Sequence, residues 1–197
     1  MLWFESIDNL NDAQELVRRR RYGVIEIESG EFRRLSFRPW PKLISRIEIE
    51  TLGRWKHAAA GDRCRLFYNF PFSAPGFLSL AYVESTRQTS WKTLRRSLEV
   101  LDWIAQIRRA NANVCELSNE KISQRAMERV GWEVHCEHLS GRHFIKRFYG
   151  EYPQHAWLPE VIDPYAELLD RLTQEGLSSH PLHANVEIDL VDDRVGC

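Results

Sequence analysis

Long apolar runs are missing from this sequence of 197 residues. None approaches the ~20 consecutive apolar residues of a membrane-spanning helix, so no membrane role is expected. An excess of one charge sign is missing too, since 27 lysines and arginines stand against 28 aspartates and glutamates. A chain so balanced has no overall pull toward nucleic acid or anionic lipid, and any such binding must come from a local patch. Cysteine is sparse. Cys64, Cys115, Cys136 and Cys197 lack the close spacing of a metal knuckle or redox pair, which argues for reduced thiols in a cytoplasmic protein. Residues 1–11 carry Glu5 and Asp8 and have no basic start followed by an apolar run, so no secretory leader is expected. Internal repeats, a Walker-type loop, a nucleophile elbow and a metalloprotease helix are absent as well.

What is present suits one domain, with or without an appendage. Leu10, Ala13, Leu16 and Val17 recur at helical spacing after Asn9 or Asn11, and the helix so predicted ends in Arg18 to Arg21. Positive charge there complements the helix dipole; an anion or nucleic-acid patch is the alternative. Alternating runs at 23–28 and 32–37 around Ser29-Gly30 predict a hairpin. A strand near Ile44, Ile47 and Ile49 and a short helix over 51–60 follow, then a strand over 64–70 and a proline-rich loop.

The stretch from Gly76 to Gly150 organises the rest. It reads as a strand over 77–84, a polar turn over 85–90, a long helix over 91–109, a strand over 113–117, a helix over 120–130 and strands over 132–138 and 143–148. Helices between strands call for a crossover and a partly parallel sheet, with ligands at the loop after a strand. Trp91, Leu94, Leu98, Leu101, Ile104 and Ile107 form the expected buried stripe of the long helix. Its other face puts Lys92, Arg95 and Arg96 in the first two turns, where the dipole disfavours cations. Either an anion sits there, at free amides after a Thr89 or Ser90 cap and with Arg87 nearby, or this is a solvated basic face balanced by Glu99 and Asp102.

This order of elements, ending in Asn119 and Ala126-Met127-Glu128-Arg129-Val130-Gly131-Trp132, resembles the second half of the general N-acetyltransferase (GNAT) superfamily over about residues 76–148. The resemblance implies an α/β fold of acyl-CoA N-acyltransferase type, a mixed central sheet flanked by helices. Residues 1–150 would form this domain. Residues 151–197 would form a C-terminal extension with one short helix, near Tyr165 to Leu172, and a mobile tail from Ser178.

The resemblance further implies that the strand over 77–83 splays from its neighbour to admit the pantetheine arm of acetyl-CoA or another acyl-CoA, with backbone near Leu80, Tyr82 and Val83 steadying the oxyanion. The family's pyrophosphate motif, Gln/Arg-x-x-Gly-x-Gly/Ala, corresponds to Arg87-Gln88-Thr89-Ser90-Trp91-Lys92, with Asn119 at a matching polar position. Ser90 and Lys92 fill both glycine positions, and Met127 stands where many members carry a tyrosine acid; a thioether has no proton to give. Glu84 is the candidate base, the alternative being a strand-end carboxylate paired with Arg87.

The expected function is therefore acyl-CoA binding with transfer to a small-molecule or protein amine, or, alternatively, a catalytically inactive binding or scaffold protein of the same fold. Two further clusters have ordinary readings. His135, Cys136, Glu137, His138 and His143 include metal ligands, but strand alternation divides them, so no metal is expected. Lys146 and Arg147 among Phe144, Phe148, Tyr149 and Tyr152 resemble a base-stacking surface, with core and edge packing the alternative.

Overall fold

After a two-residue strand, β1 (Ser6–Ile7), Asn9 caps a single 3-10 turn by accepting from the Asn11 amide at 3.1 Å. The chain then enters α1 (Gln14–Arg19), whose Val17 is buried. The arginines that follow are engaged locally: Arg18 and Arg19 face Glu15, Arg20 faces Glu5, and Arg21 lies 3.7 Å over the Phe72 ring. The computed structural model describes residues 5–41, 60–117 and 122–163. The strand expected near 44–49, the helix over 51–60, Asn119, the helix near 165–172 and the tail lie outside them.

Alternation of period two produces the hairpin. Ile25 and Ile27 of β2 (Tyr22–Glu28) and Leu35 and Phe37 of β3 (Glu31–Arg38) are buried on one face. Ser29 and Gly30 turn the chain with φ of 54° and 76°, the pair of positive angles that a two-residue hairpin loop requires. β4 (Arg63–Asn69) and β5 (Phe77–Ser85) continue the antiparallel sheet.

The long helix, α2 (Trp91–Ile107), has neither glycine nor proline, and Ser90 caps it by accepting from the Thr93 amide at 3.2 Å. It carries the chain back to β6 (Ala112–Glu116), which therefore pairs with β5 in parallel. A short helix, α3 (Gln124–Glu128), ends at Gly131 with φ 82°, where the Trp132 amide bonds to the Met127 carbonyl at 3.1 Å. β7 (Glu133–His135) and β8 (His143–Arg147) form the last hairpin. Among the described residues the strands make one eight-stranded mixed sheet in the order β1-β3-β2-β4-β5-β6-β8-β7.

The core lies between one face of this sheet and α2, with Ile25, Leu66, Leu78, Leu101 and Ile104 fully buried. The stripe on α2 differs from expectation at its start. Trp91 is 43% exposed, whereas Thr93 and Ser97 are buried and the Ser97 hydroxyl donates to the Thr93 carbonyl at 3.0 Å. That bond hides polar atoms which composition alone would put outside.

The chain divides into two compact units, Met1–Val161 and Ile162–Cys197. Residues 152–161 belong to the first and run over α2 as a strap. The Trp103 indole donates to the Pro159 carbonyl at 2.8 Å, and the Tyr152 hydroxyl to the Ala110 carbonyl at 2.9 Å.

Candidate functional site

A bulge interrupts β5. Phe67 pairs with Tyr82 and Tyr68 with Leu80, so Ala81 has no partner on β4. The parallel ladder to β6 ends at the Leu80 and Cys115 pair, while the pairing with β4 runs on to Ser85. An extra residue in one strand raises its twist and bends it. The bulge also changes side-chain parity. Leu78, Leu80 and Val83 pack toward the core under α2, and Tyr82 and Glu84 point to the opposite face. There Tyr82 lies 5.9 Å from the Phe67 ring, and Glu84 is bonded to Arg65 at 3.0 Å rather than to Arg87.

The turn after β5 is stapled to the start of β4. The Thr89 hydroxyl donates to the Arg63 carbonyl at 2.7 Å, Thr86 bonds to the Gly61 carbonyl, and Gln88 accepts from the Gly61 amide at 3.2 Å. Asp62 reaches the beginning of α2. One of its oxygens accepts from the Ser90 amide and the other from the Ser90 hydroxyl, both at 2.8 Å. A carboxylate of the chain's own thus occupies the positive end of the helix. Partial burial raises the Asp62 pKa, but the bonds from Ser90 and Thr93 and the charge of Lys92 outweigh it, so the net shift is downward. Lys92 extends over Gly30, 3.9 Å from Glu31, and Arg87 is exposed. Glycine at position 30 leaves room for that stem, because a Cβ would stand 2.6 Å from the lysine chain.

Beside this turn, Trp91, Lys92, Arg95, Arg96 and Glu99 of α2 and residues 154–157 of the strap line a groove of about 480 Å³. Glu99 is its anchor. It accepts from Arg95 at 2.9 Å, Arg96 at 3.2 Å and the Trp157 indole at 2.6 Å, while the Arg96 guanidinium stacks 4.3 Å over the Trp157 ring. One turn on, Asp102 holds Lys146 at 2.7 Å and Asn113 at 3.0 Å. His155 lies between the two carboxylates, 3.9 Å from each, with its buried Nε2 unpartnered. Glu99 and Asp102 are therefore buried beneath the strap, not the solvated counter-charges that helical spacing suggests. Sequence reasoning missed Asp62 and His155, because nothing in their local patterns tells that they fold back onto α2.

The remaining clusters disperse. Lys146 is drawn inward to Asp102 and Arg147 pairs with Glu133 at 2.9 Å, so these two cations form no common stacking surface. His135 pairs with His143 across β7 and β8, Cys136 leaves the strand with φ 51°, and no group of three metal-capable side chains converges among the described residues. Burial pushes the Cys64 thiol up to about 11 and the Cys115 thiol up to about 12, which leaves both unreactive. Met127 is buried in the core. No described helix is long and apolar enough to cross a membrane.

No family model matches the chain, and no curated protein sequence matches it. Among solved structures it is similar to "Crystal structure of Nourseothricin acetyltransferase", at 11% identity and a TM-score of 0.38, with 73% of this chain and 98% of that chain covered. The molecule is a mixed-sheet α/β protein.

Proposed function

We propose that this protein binds an acyl-CoA in the cleft between β5 and β6 and transfers the acyl group to an amine. The observation that carries the reading is the bulge at Ala81 with the end of the parallel ladder at Leu80. The amide-bearing pantetheine arm would add along the β6-facing edge of β5 as a strand does. The amine then attacks the thioester carbonyl. Backbone N–H groups near Leu80 to Val83 are the donors for the oxyanion, and collapse breaks the C–S bond. The proton lost by the amine passes to Glu84 or solvent and ends on the departing thiolate, since Met127 has none to give.

The clasp of Asp62 on Ser90 favours a second reading, a protein of this fold without catalysis, because a carboxylate stands where the resemblance puts pyrophosphate. Thermal melts with acetyl-CoA and with acetyl-pantetheine, which lacks phosphate, test the first reading. Ligand at ~100 times its dissociation constant adds about 2.7 kcal/mol, a rise of several degrees at this chain length. Lys92→Glu should reduce the rise with acetyl-CoA and spare that with acetyl-pantetheine. Thiol release with an amine panel separates transfer from binding alone. No rise with either ligand at millimolar concentration overturns acyl-CoA binding.

A further inference from the structure

We propose that the groove between α2 and the strap is a binding site for a small phosphate ester that carries a flat ring. Its donors converge and are already oriented. Arg95 uses only Nε on Glu99, which leaves both terminal nitrogens to point elsewhere, and Arg96 uses only one terminal nitrogen. Glu99 lines the groove as well, but it is largely buried and its oxygens are engaged by Arg95, Arg96 and the Trp157 indole, so it holds both guanidiniums in place. An arginine fork fixed by a carboxylate behind it loses little freedom on meeting phosphate, and planar N–H pairs suit phosphate oxygens.

Lys92 adds a cation at one end. The walls supply the ring contact. Trp91 is exposed to the groove although it opens a helix whose other large apolar residues are mostly buried, and Trp157 forms the opposite side under Arg96. A volume of about 480 Å³ falls within the range of small-molecule sites and is larger than a bare anion needs. Because Asp62 already covers the Ser90 amide, the charge of a ligand here is met by side chains and not by the helix terminus.

The groove shares Lys92 with the acyl-CoA reading but does not rest on it, and the probes tell the two apart. Calorimetric titration with AMP should give saturable binding that Arg95→Ala weakens about tenfold or more, the loss expected for one charge-assisted contact. Trp91→Ala should weaken AMP and leave inorganic pyrophosphate unchanged. Arg147→Ala, far along β8, should alter neither. Competition by acetyl-CoA but not by acetyl-pantetheine would assign the phosphate to the nucleotide end of the co-substrate; no competition would assign it to a separate ligand. The proposal is overturned if AMP and pyrophosphate both fail to bind at millimolar concentration, or if folded Arg95→Ala binds AMP as the parent does.

Discussion

Asp62 and Ser90 meet through two bonds of 2.8 Å, one to the amide and one to the hydroxyl, across the entrance to α2. The contact ties the start of β4 to the start of the helix and neutralises the helix's positive end from within the chain. It also explains how Lys92 is tolerated in the first turn, because an anion is already there.

Removing that anion should cost stability in a pH-dependent way. The folded-state pKa of Asp62 is depressed, so its contribution is complete above the unfolded value and is lost as pH falls through the folded one. Asp62→Asn should be less stable than the parent by about 1 kcal/mol near neutral pH. The gap should begin to shrink below about pH 4, the ordinary carboxylate value, and close as pH falls on through the lower folded value. Urea midpoints measured across the acid range test this, and a gap that stays constant at low pH would count against it.

Lys146 and Asp102 form the most buried ion pair described, with side chains 12% and 3% exposed. Truncating one partner leaves the other charge stranded. Lys146→Ala should therefore destabilise by about 3–5 kcal/mol in chemical denaturation. Lys146→Met combined with Asp102→Asn should recover much of that loss, because it removes both charges together. A loss of under about 1 kcal/mol in the single variant would mean that water reaches the pair.

Tyr68 is fully enclosed, and its hydroxyl has no hydrogen-bond partner. Burial drives its phenol pKa upward, against a smaller opposing pull from Arg108. Tyr68→Phe discards a desolvated polar group at little loss of packing, so stability should hold or rise by up to about 1 kcal/mol. Gly23 is the opposite case: a Cβ there would stand 2.6 Å from the Tyr68 ring and hydroxyl. Gly23→Ala should cost about 1–3 kcal/mol in the same denaturation assay.

Cysteine reactivity follows from burial. With Cys64 and Cys115 pushed up to about 11 and about 12, almost no thiolate forms at neutral pH, and neither thiol is accessible. In a Cys197→Ser background, Cys136 should react first with a thiol reagent and the other two only in denaturant. Fast modification of all three in the folded protein would contradict the buried placement.

Much of the fold was legible in residue order. The hairpin around Ser29-Gly30 follows from alternation and a turn that glycine permits, and the strand–helix–strand passage from Phe77 to Glu116 follows from a change of period from two to 3.6. The parallel pairing of β5 with β6 follows in turn from the helix between them. In the candidate site, the polar turn and the basic first turns of α2 were legible for the same local reason.

The sequence by itself therefore determined the β2–β3 hairpin, the passage from β5 through α2 to β6 and most of the face that α2 buries, because those depend on neighbours within one or two turns. Only the tertiary structure decided that Asp62 would close on Ser90 from 28 positions away and that Trp157 would reach Glu99 from 58. It likewise decided that Ala81 would bulge out of the pairing with β4. These contacts set where charge is buried and where it is left to meet a ligand. They depend on which distant segments pack together, and no local periodicity encodes that.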